Sequence, residues 1–154
     1  MWCSVASVAM TTMTTERILV LCSGNYFRSR FAEIFLNHVI AEQGLPWQVD
    51  SAGLLMENDN EGNISRHTQA YVEAKGWDVP ARPPKAATTD QFQWATRVIA
   101  LKETEHRAPI EARFSEFLDK VEFWMIHDED VRAPADILPD LEAELTEFVT
   151  RIQG

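Results

Sequence analysis

Eight consecutive residues, Cys22-Ser23-Gly24-Asn25-Tyr26-Phe27-Arg28-Ser29, combine side-chain types and spacing that can do chemistry. A thiol stands six positions before a guanidinium. That span is short enough for the backbone between them to close into a ring whose amides point inward. A ring of amides at a helix start is a cradle for a tetrahedral oxyanion. The same amides, the helix dipole and a nearby Arg28 stabilise a thiolate at Cys22. Gly24 can take a positive φ or let the backbone approach an anion, and Asn25 tolerates the left-handed region. Arg28 matches two phosphoryl oxygens with a planar fork of donors, and Ser29 can donate to the thiolate. A cysteine at a strand end is often only a buried apolar residue. Here the Gly, Asn, Arg and Ser around it point instead to an anion-binding nucleophilic loop.

Such a loop needs a strand before it and a helix after it. The apolar run Ile18-Leu19-Val20-Leu21 predicts a strand over 17–22, and the pattern after the loop predicts a helix over 29–43 that stops at Gly44-Leu45-Pro46. Further strands are expected at 47–51, 96–101 and 121–126. Helices are expected at 65–75 (capped by Ser65 and ending at Gly76), from Thr89-Asp90 to Trp94, near 103–107, near 110–119 and at 136–152. Residues 54–63 and 80–87 read as loops. Alternating strands and helices indicate an α/β fold, a parallel sheet with helices on both faces. In such folds the site lies beyond the carboxyl ends of the strands. Cys22, Ser51-Ala52-Gly53, Lys102 and Asp128 all fall on that edge.

The loop, its flanking elements and the later Asp50-Ser51-Ala52-Gly53 resemble the low-molecular-weight protein-tyrosine-phosphatase family. The resemblance continues through Gly76, the stretch 92–101 and Trp124-Met125-Ile126-His127-Asp128, and so covers residues 17–152. It implies a three-layer fold with a four-stranded parallel sheet in the order 2-1-3-4. It also implies a phosphatase acting through a phosphocysteine. Cys22 is then the nucleophile. Arg28 and the loop residues Ser23, Gly24, Asn25, Tyr26, Phe27 and Ser29 bind phosphate, and Asn25, Ser29 and Ser51 brace the loop. Residue types alone leave Asp128, Glu129 and Asp130 as a solvated acidic turn. The family position selects Asp128 as the acid, with Asp130 as the alternative.

The chain departs from the family at several positions. Phe27 stands where many members carry a second loop cysteine, and Arg30 replaces a Pro. Lys75 occupies the place of a bracing His. Leu101-Lys102 replaces Met-Asp, and Glu129 replaces the Pro after the acid. Asp130, Val131 and Arg132 stand where an aromatic would line the cleft, leaving Tyr26 as the aromatic candidate. These changes leave the phosphate chemistry in place and weaken the case for phosphotyrosine.

Composition sets the remaining expectations. With 154 residues, 45% hydrophobic and 25% charged, the chain is expected to form one domain over 16–154, phosphatase-like by the resemblance, behind a disordered tail at 1–15 that begins at Met1, Met10 or Met13. The net charge of −10 argues against nucleic acid or a membrane as partner. It also leaves Arg28, Arg30 and the loop amides to supply positive potential locally. Two cysteines, Cys3 and Cys22, fit a reducing cytoplasm. The four His residues show no metal-ligand spacing, so no metal or cofactor is expected. The expected substrate is a phosphorylated protein or a small phosphate ester. The alternatives are a non-catalytic phosphate-binding module on the same fold and an arsenate reductase, which would need a resolving thiol.

Overall fold

The computed structural model describes residues 14–56 and 62–153. Most of the expected tail, both internal start positions and Cys3 lie outside the described residues, as do residues 57–61 of the loop expected at 54–63.

β1 (Glu16–Cys22), β2 (Trp47–Gly53), β3 (Arg97–Ala100) and β4 (Val121–Phe123) form one parallel sheet in the order β2-β1-β3-β4. The helices are α1 (Arg28–Gln43), α2 (Arg66–Ala74), α3 (Thr89–Trp94), α4 (Glu103–Arg113) and α5 (Pro134–Gln153), with a 3-10 helix at Ser115–Lys120. β1 shows why both faces are covered. Its side chains alternate, with Ile18, Val20 and Cys22 packing into a core with α1, α2 and α5. Leu19 and Leu21 pack on the opposite face with Phe92 of α3 and Ile110 of α4. A strand buried on both faces reads as a continuous apolar run, as Ile18–Leu21 does.

α1 is enclosed on all sides over 28–36, and its buried residues include Arg28, Arg30 and Glu33. Buried charges persist only when paired or hydrogen-bonded, and each of these three is bonded close to the loop that opens the helix. The helix ends at Gly44, whose φ of 63° is the left-handed conformation that closes a helix with glycine.

Several boundaries differ from expectation. α3 is capped by Thr88 rather than Thr89-Asp90, because Thr88 and Gln91 form a reciprocal capping box. The two helices expected over 103–119 are one helix through Pro109, followed by the 3-10 turns. His106 and Ile110, four residues apart and fully buried, hold that helix across the proline through packing. β2 runs on to Gly53, since its last residues pair with the end of β1. β4 is only three residues long, yet the chain stays extended beside β3: Trp124 N–H donates to Ala100 and Ile126 N–H to Leu101. That extension carries residues 126–128 to the edge where β1 ends.

Candidate active site

The loop after β1 is held from below by the end of β2. The amides of Leu54 and Leu55 donate to the carbonyls of Cys22 and Ser23 at 2.9 Å each. Gly53 lies so close beneath that a Cβ there would sit 2.7 Å from the Ser23 carbonyl oxygen and 3.1 Å from the Asn25 nitrogen. Only glycine permits this approach. Among the described residues, Asn25 is the only non-glycine with positive φ, at 51°. The left-handed kink of the loop therefore falls on Asn25, and Gly24 does not take positive φ.

Cys22 Sγ lies 2.9 Å from Ser29 Oγ. The direction of that bond follows from its neighbours. Asn25 Nδ2 donates to Ser29 Oγ at 2.8 Å, so the serine proton is free to point at the sulfur. The same amide nitrogen donates to Ser51 Oγ at 2.9 Å. Asn25, Ser29 and Ser51 are therefore joined by hydrogen bonds beneath the loop, and all three are fully buried.

The rest of the brace is not where a family pattern would place it. Lys75 points away, pairing with Glu142 of α5 at 3.2 Å. Its bracing place is taken by Arg82, which donates to Asn25 Oδ1 at 3.0 Å and Ser51 Oγ at 2.8 Å and pairs with Glu33 at 2.5 Å. Ser51 Oγ in turn donates to Glu33. Arg82 reaches the site because Gly53 and Ala87 zip the 80–87 segment onto the end of β2. Removing Arg82 strands the mostly buried Glu33 carboxylate. Arg82→Met is expected to lower stability by about 2–3 kcal/mol, measured by urea unfolding.

Arg30 does not face the cleft. It is fully buried and donates to the carbonyls of Asn63 (2.7 Å), Pro80 (3.1 Å) and Arg82 (3.0 Å). Its role is to tie two loops to α1, so the positive potential expected from it at the phosphate site is absent. Burial and the neighbouring Arg82 push its pKa below the usual arginine value, against the pull of Glu33.

Arg28 stands at the base of the cleft, 1% exposed. Its Nη1 donates to the Ile126 carbonyl at 2.9 Å, which fixes the guanidinium plane. Its Nη2 is shared by Glu105 Oε1 at 2.9 Å and Asp128 Oδ2 at 3.3 Å. Burial works against its charge, but Cys22, Asp128 and Glu105 outweigh burial and raise its pKa above the usual value. Asp128 is thereby brought to the loop, while its Oδ1 accepts from the Glu129 amide at 2.9 Å.

Glu105 was not foreseen. It lies three residues beyond Lys102, at the start of α4, on the same sheet edge. Burial opposes its charge, but hydrogen bonds from Arg28, Ser23 and Lys102 outweigh that and hold its carboxyl below the usual range. Beside it, His106 is fully buried, and its pKa is lowered to about 4 by burial and by Arg28, so the ring is neutral at neutral pH. Its Nδ1 accepts from the Lys102 amide at 3.0 Å. The ring proton is therefore on Nε2, which donates to Ser23 Oγ at 3.2 Å, and Ser23 donates on to Glu105 at 3.1 Å. The Lys102 departure was the one available signal. A basic residue in place of an acid on the active edge calls for a carboxylate nearby.

Cys22, Ser23, Gly24, Tyr26, Phe27, Arg28, Leu55, Asp128, Glu129 and Asp130 line a cleft of about 360 Å³. Phe27 is nonetheless mostly in the core, 6% exposed, and its carbonyl accepts from Thr68. Tyr26 does reach the cleft wall. Among the described residues, no group of three or more His, Cys, Asp or Glu side chains is placed to hold a metal ion, and no helix is long and apolar enough to cross a membrane. A sulfur at the base of a cleft, next to a fixed guanidinium and within reach of a carboxyl group, is an arrangement for nucleophilic displacement at an oxyanion.

Known proteins supply the comparison. The family model for low molecular weight phosphotyrosine protein phosphatase matches residues 17–150. No match was found among curated proteins. Of the similar solved structures, the YwlE arginine phosphatase from Geobacillus stearothermophilus is 27% identical, with 90% of each chain covered and a TM-score of 0.69. The low molecular weight protein tyrosine phosphatase from T. tengcongensis is 19% identical, with 88% of this chain and 99% of that chain covered and a TM-score of 0.76. YfkJ from Bacillus subtilis is 17% identical, with 91% and 96% covered and a TM-score of 0.79. At such identities the last two speak for the fold alone. With the family model spanning nearly the whole described chain, this protein belongs to the low molecular weight phosphotyrosine protein phosphatase family and is a cysteine-based phosphatase, a hydrolase of phosphate monoesters.

Proposed function

We propose that Cys22 attacks phosphorus in line, forming a phosphocysteine, while Arg28 and the amides from Ser23 to Arg28 hold the equatorial oxygens. Asp128 protonates the leaving oxygen and then activates the water that hydrolyses the intermediate. The observation that carries this reading is the meeting of Cys22, Arg28 and Asp128 at one cleft, with Cys22 2.9 Å from Ser29 beneath it and Arg28 3.3 Å from Asp128. Loss of the phosphate dianion's water is offset by donors already in place, which is what the Arg82–Glu33–Ser51–Asn25 brace secures.

The mechanism draws on no metal. Hydrolysis of p-nitrophenyl phosphate is expected to proceed undiminished in excess EDTA and to be inhibited competitively by tungstate, as read in a steady-state assay. A rate that falls with chelation, or phosphate binding without any turnover, would move the chain to metal-assisted chemistry or to the binding-module reading. Arsenate reduction would require a resolving thiol, and the only other cysteine, Cys3, lies outside the described residues.

The group carried by the phosphate is read from the cleft walls. Tyr26 is the aromatic there, and Asp128, Glu129 and Asp130 make its mouth acidic. An acidic mouth is a poor fit for acidic phosphopeptides. It suits a cationic leaving group, and the 27%-identical relative is named an arginine phosphatase. Phosphoarginine therefore belongs beside phosphotyrosine in any substrate panel.

A further inference from the structure

A second and larger groove, about 960 Å³, opens beside the catalytic cleft. The two share Tyr26 and Glu129 as lining residues, so they are continuous around that pair. A volume of about 360 Å³ holds a phosphate and the side chain that bears it, at the small end of ligand-sized clefts. The larger groove leaves room for what is attached to that side chain. Its walls come from α2, from the turn before it and from residues 77–81. Buried Arg30 ties two of the lining segments together, since it donates to the carbonyls of Asn63 and Pro80.

The charge of the combined surface is one-sided. The groove carries Glu73 and Asp78, the shared rim Glu129, and the cleft Asp128 and Asp130. Against these five carboxylates stand Arg66, exposed at the start of α2, and His67; Arg28 is buried beneath. Among the described residues, Glu73, Asp78, Glu129 and Asp130 form no ion pair with any cation. The surface is therefore free to meet one from outside.

We propose that this groove is a substrate-docking site for the polypeptide flanking the phosphorylated residue, and that it selects segments carrying Lys or Arg next to that residue. The inference rests on the phosphatase reading and extends it. The phosphate satisfies Arg28 and the loop, while the basic flank satisfies carboxylates that would repel the same phosphate carried on an acidic chain. Docking in the groove also orients the scissile bond, because groove and cleft adjoin at Tyr26 and Glu129.

The test uses two phosphotyrosine peptides identical except for Lys or Glu on both sides of the phosphorylated residue. Their Kd values are measured on the Cys22→Ser protein, where turnover does not interfere. The Lys peptide is expected to bind at least about tenfold more tightly, with the gap closing as salt is raised toward 0.5 M. The Glu73→Lys/Asp78→Lys pair is expected to reduce that ratio to about threefold or less. Turnover of p-nitrophenyl phosphate, which is too small to reach the groove, serves as the control for folding and chemistry in the active protein and in its charge-reversed form. Equal binding of the two peptides, no binding of either, or a preference untouched by the double substitution would overturn the docking site. An untouched preference would put charge selection in the cleft alone, as for a small cationic phosphate ester. Failure of the phosphatase reading is seen separately, as an absence of p-nitrophenyl phosphate turnover in the unsubstituted protein.

Discussion

Cys22→Ser is expected to reduce p-nitrophenyl phosphate turnover by roughly 10⁴-fold or more, while tungstate and phosphate still bind within a few-fold of the parent protein. A serine hydroxyl fills nearly the same volume at the end of β1. It can still bond to Ser29, so the loop has no reason to collapse. What it lacks is a thiolate. Ser29 can stabilise a sulfur anion with its one free proton, since its oxygen is already engaged by Asn25. The groups that recognise the anion, Arg28 and the backbone of residues 23–28, are unchanged. Calorimetric titration with tungstate and a stopped assay on the same sample separate the two effects. Persisting turnover in the variant would falsify the nucleophile assignment. Loss of both turnover and binding would show instead that the thiol holds the loop.

Asp128→Asn is expected to lower kcat by about 10²-fold or more on phosphate esters with poor leaving groups, and by much less on p-nitrophenyl phosphate. The amide keeps the size of the side chain and its contact with the Glu129 amide, but it cannot deliver a proton. The structure favours Asp128 over Asp130 on one point. Of the acidic residues in that turn, Asp128 is the one within 3.3 Å of Arg28, so its carboxyl is directed at the base of the cleft. Asp130 lines the cleft wall without such a contact. A parallel series on Asp130→Asn decides between them. If that variant shows the leaving-group dependence and Asp128→Asn does not, the acid is Asp130, and the bond from Asp128 serves only to orient Arg28.

Much of this protein is legible before any tertiary structure is seen, because its key features are local in sequence. The loop from Cys22 to Ser29 is contiguous, so its residue types alone indicate an anion cradle. The apolar run 18–21 must be buried on both faces, and alternating strands and helices leave little choice beyond a parallel sheet with its site at the carboxyl edge. The family resemblance named Asn25, Ser29 and Ser51 together, and hydrogen bonds join the three in the fold.

What only the tertiary structure decided involves residues far apart along the chain whose charges are settled by burial. Arg30 follows the loop directly and reads as a source of positive potential for the site, yet the helix it sits on is enclosed, and its guanidinium turns to the carbonyls of residues 63, 80 and 82. Arg82 lies in the loop expected at 80–87, and the pairing of Gly53 with that loop carries it 57 residues back to Asn25. Glu33 lies in the stretch of α1 that is buried on all sides, where its carboxylate meets Arg82 and Ser51. Glu105 reads as one more acid at a helix start, and only the crossing from β3 to α4 sets it against Arg28. In each case the sequence shows a charge but not its partner. A buried charge must find its partner across the fold, and which partner it finds depends on how the segments pack rather than on their order.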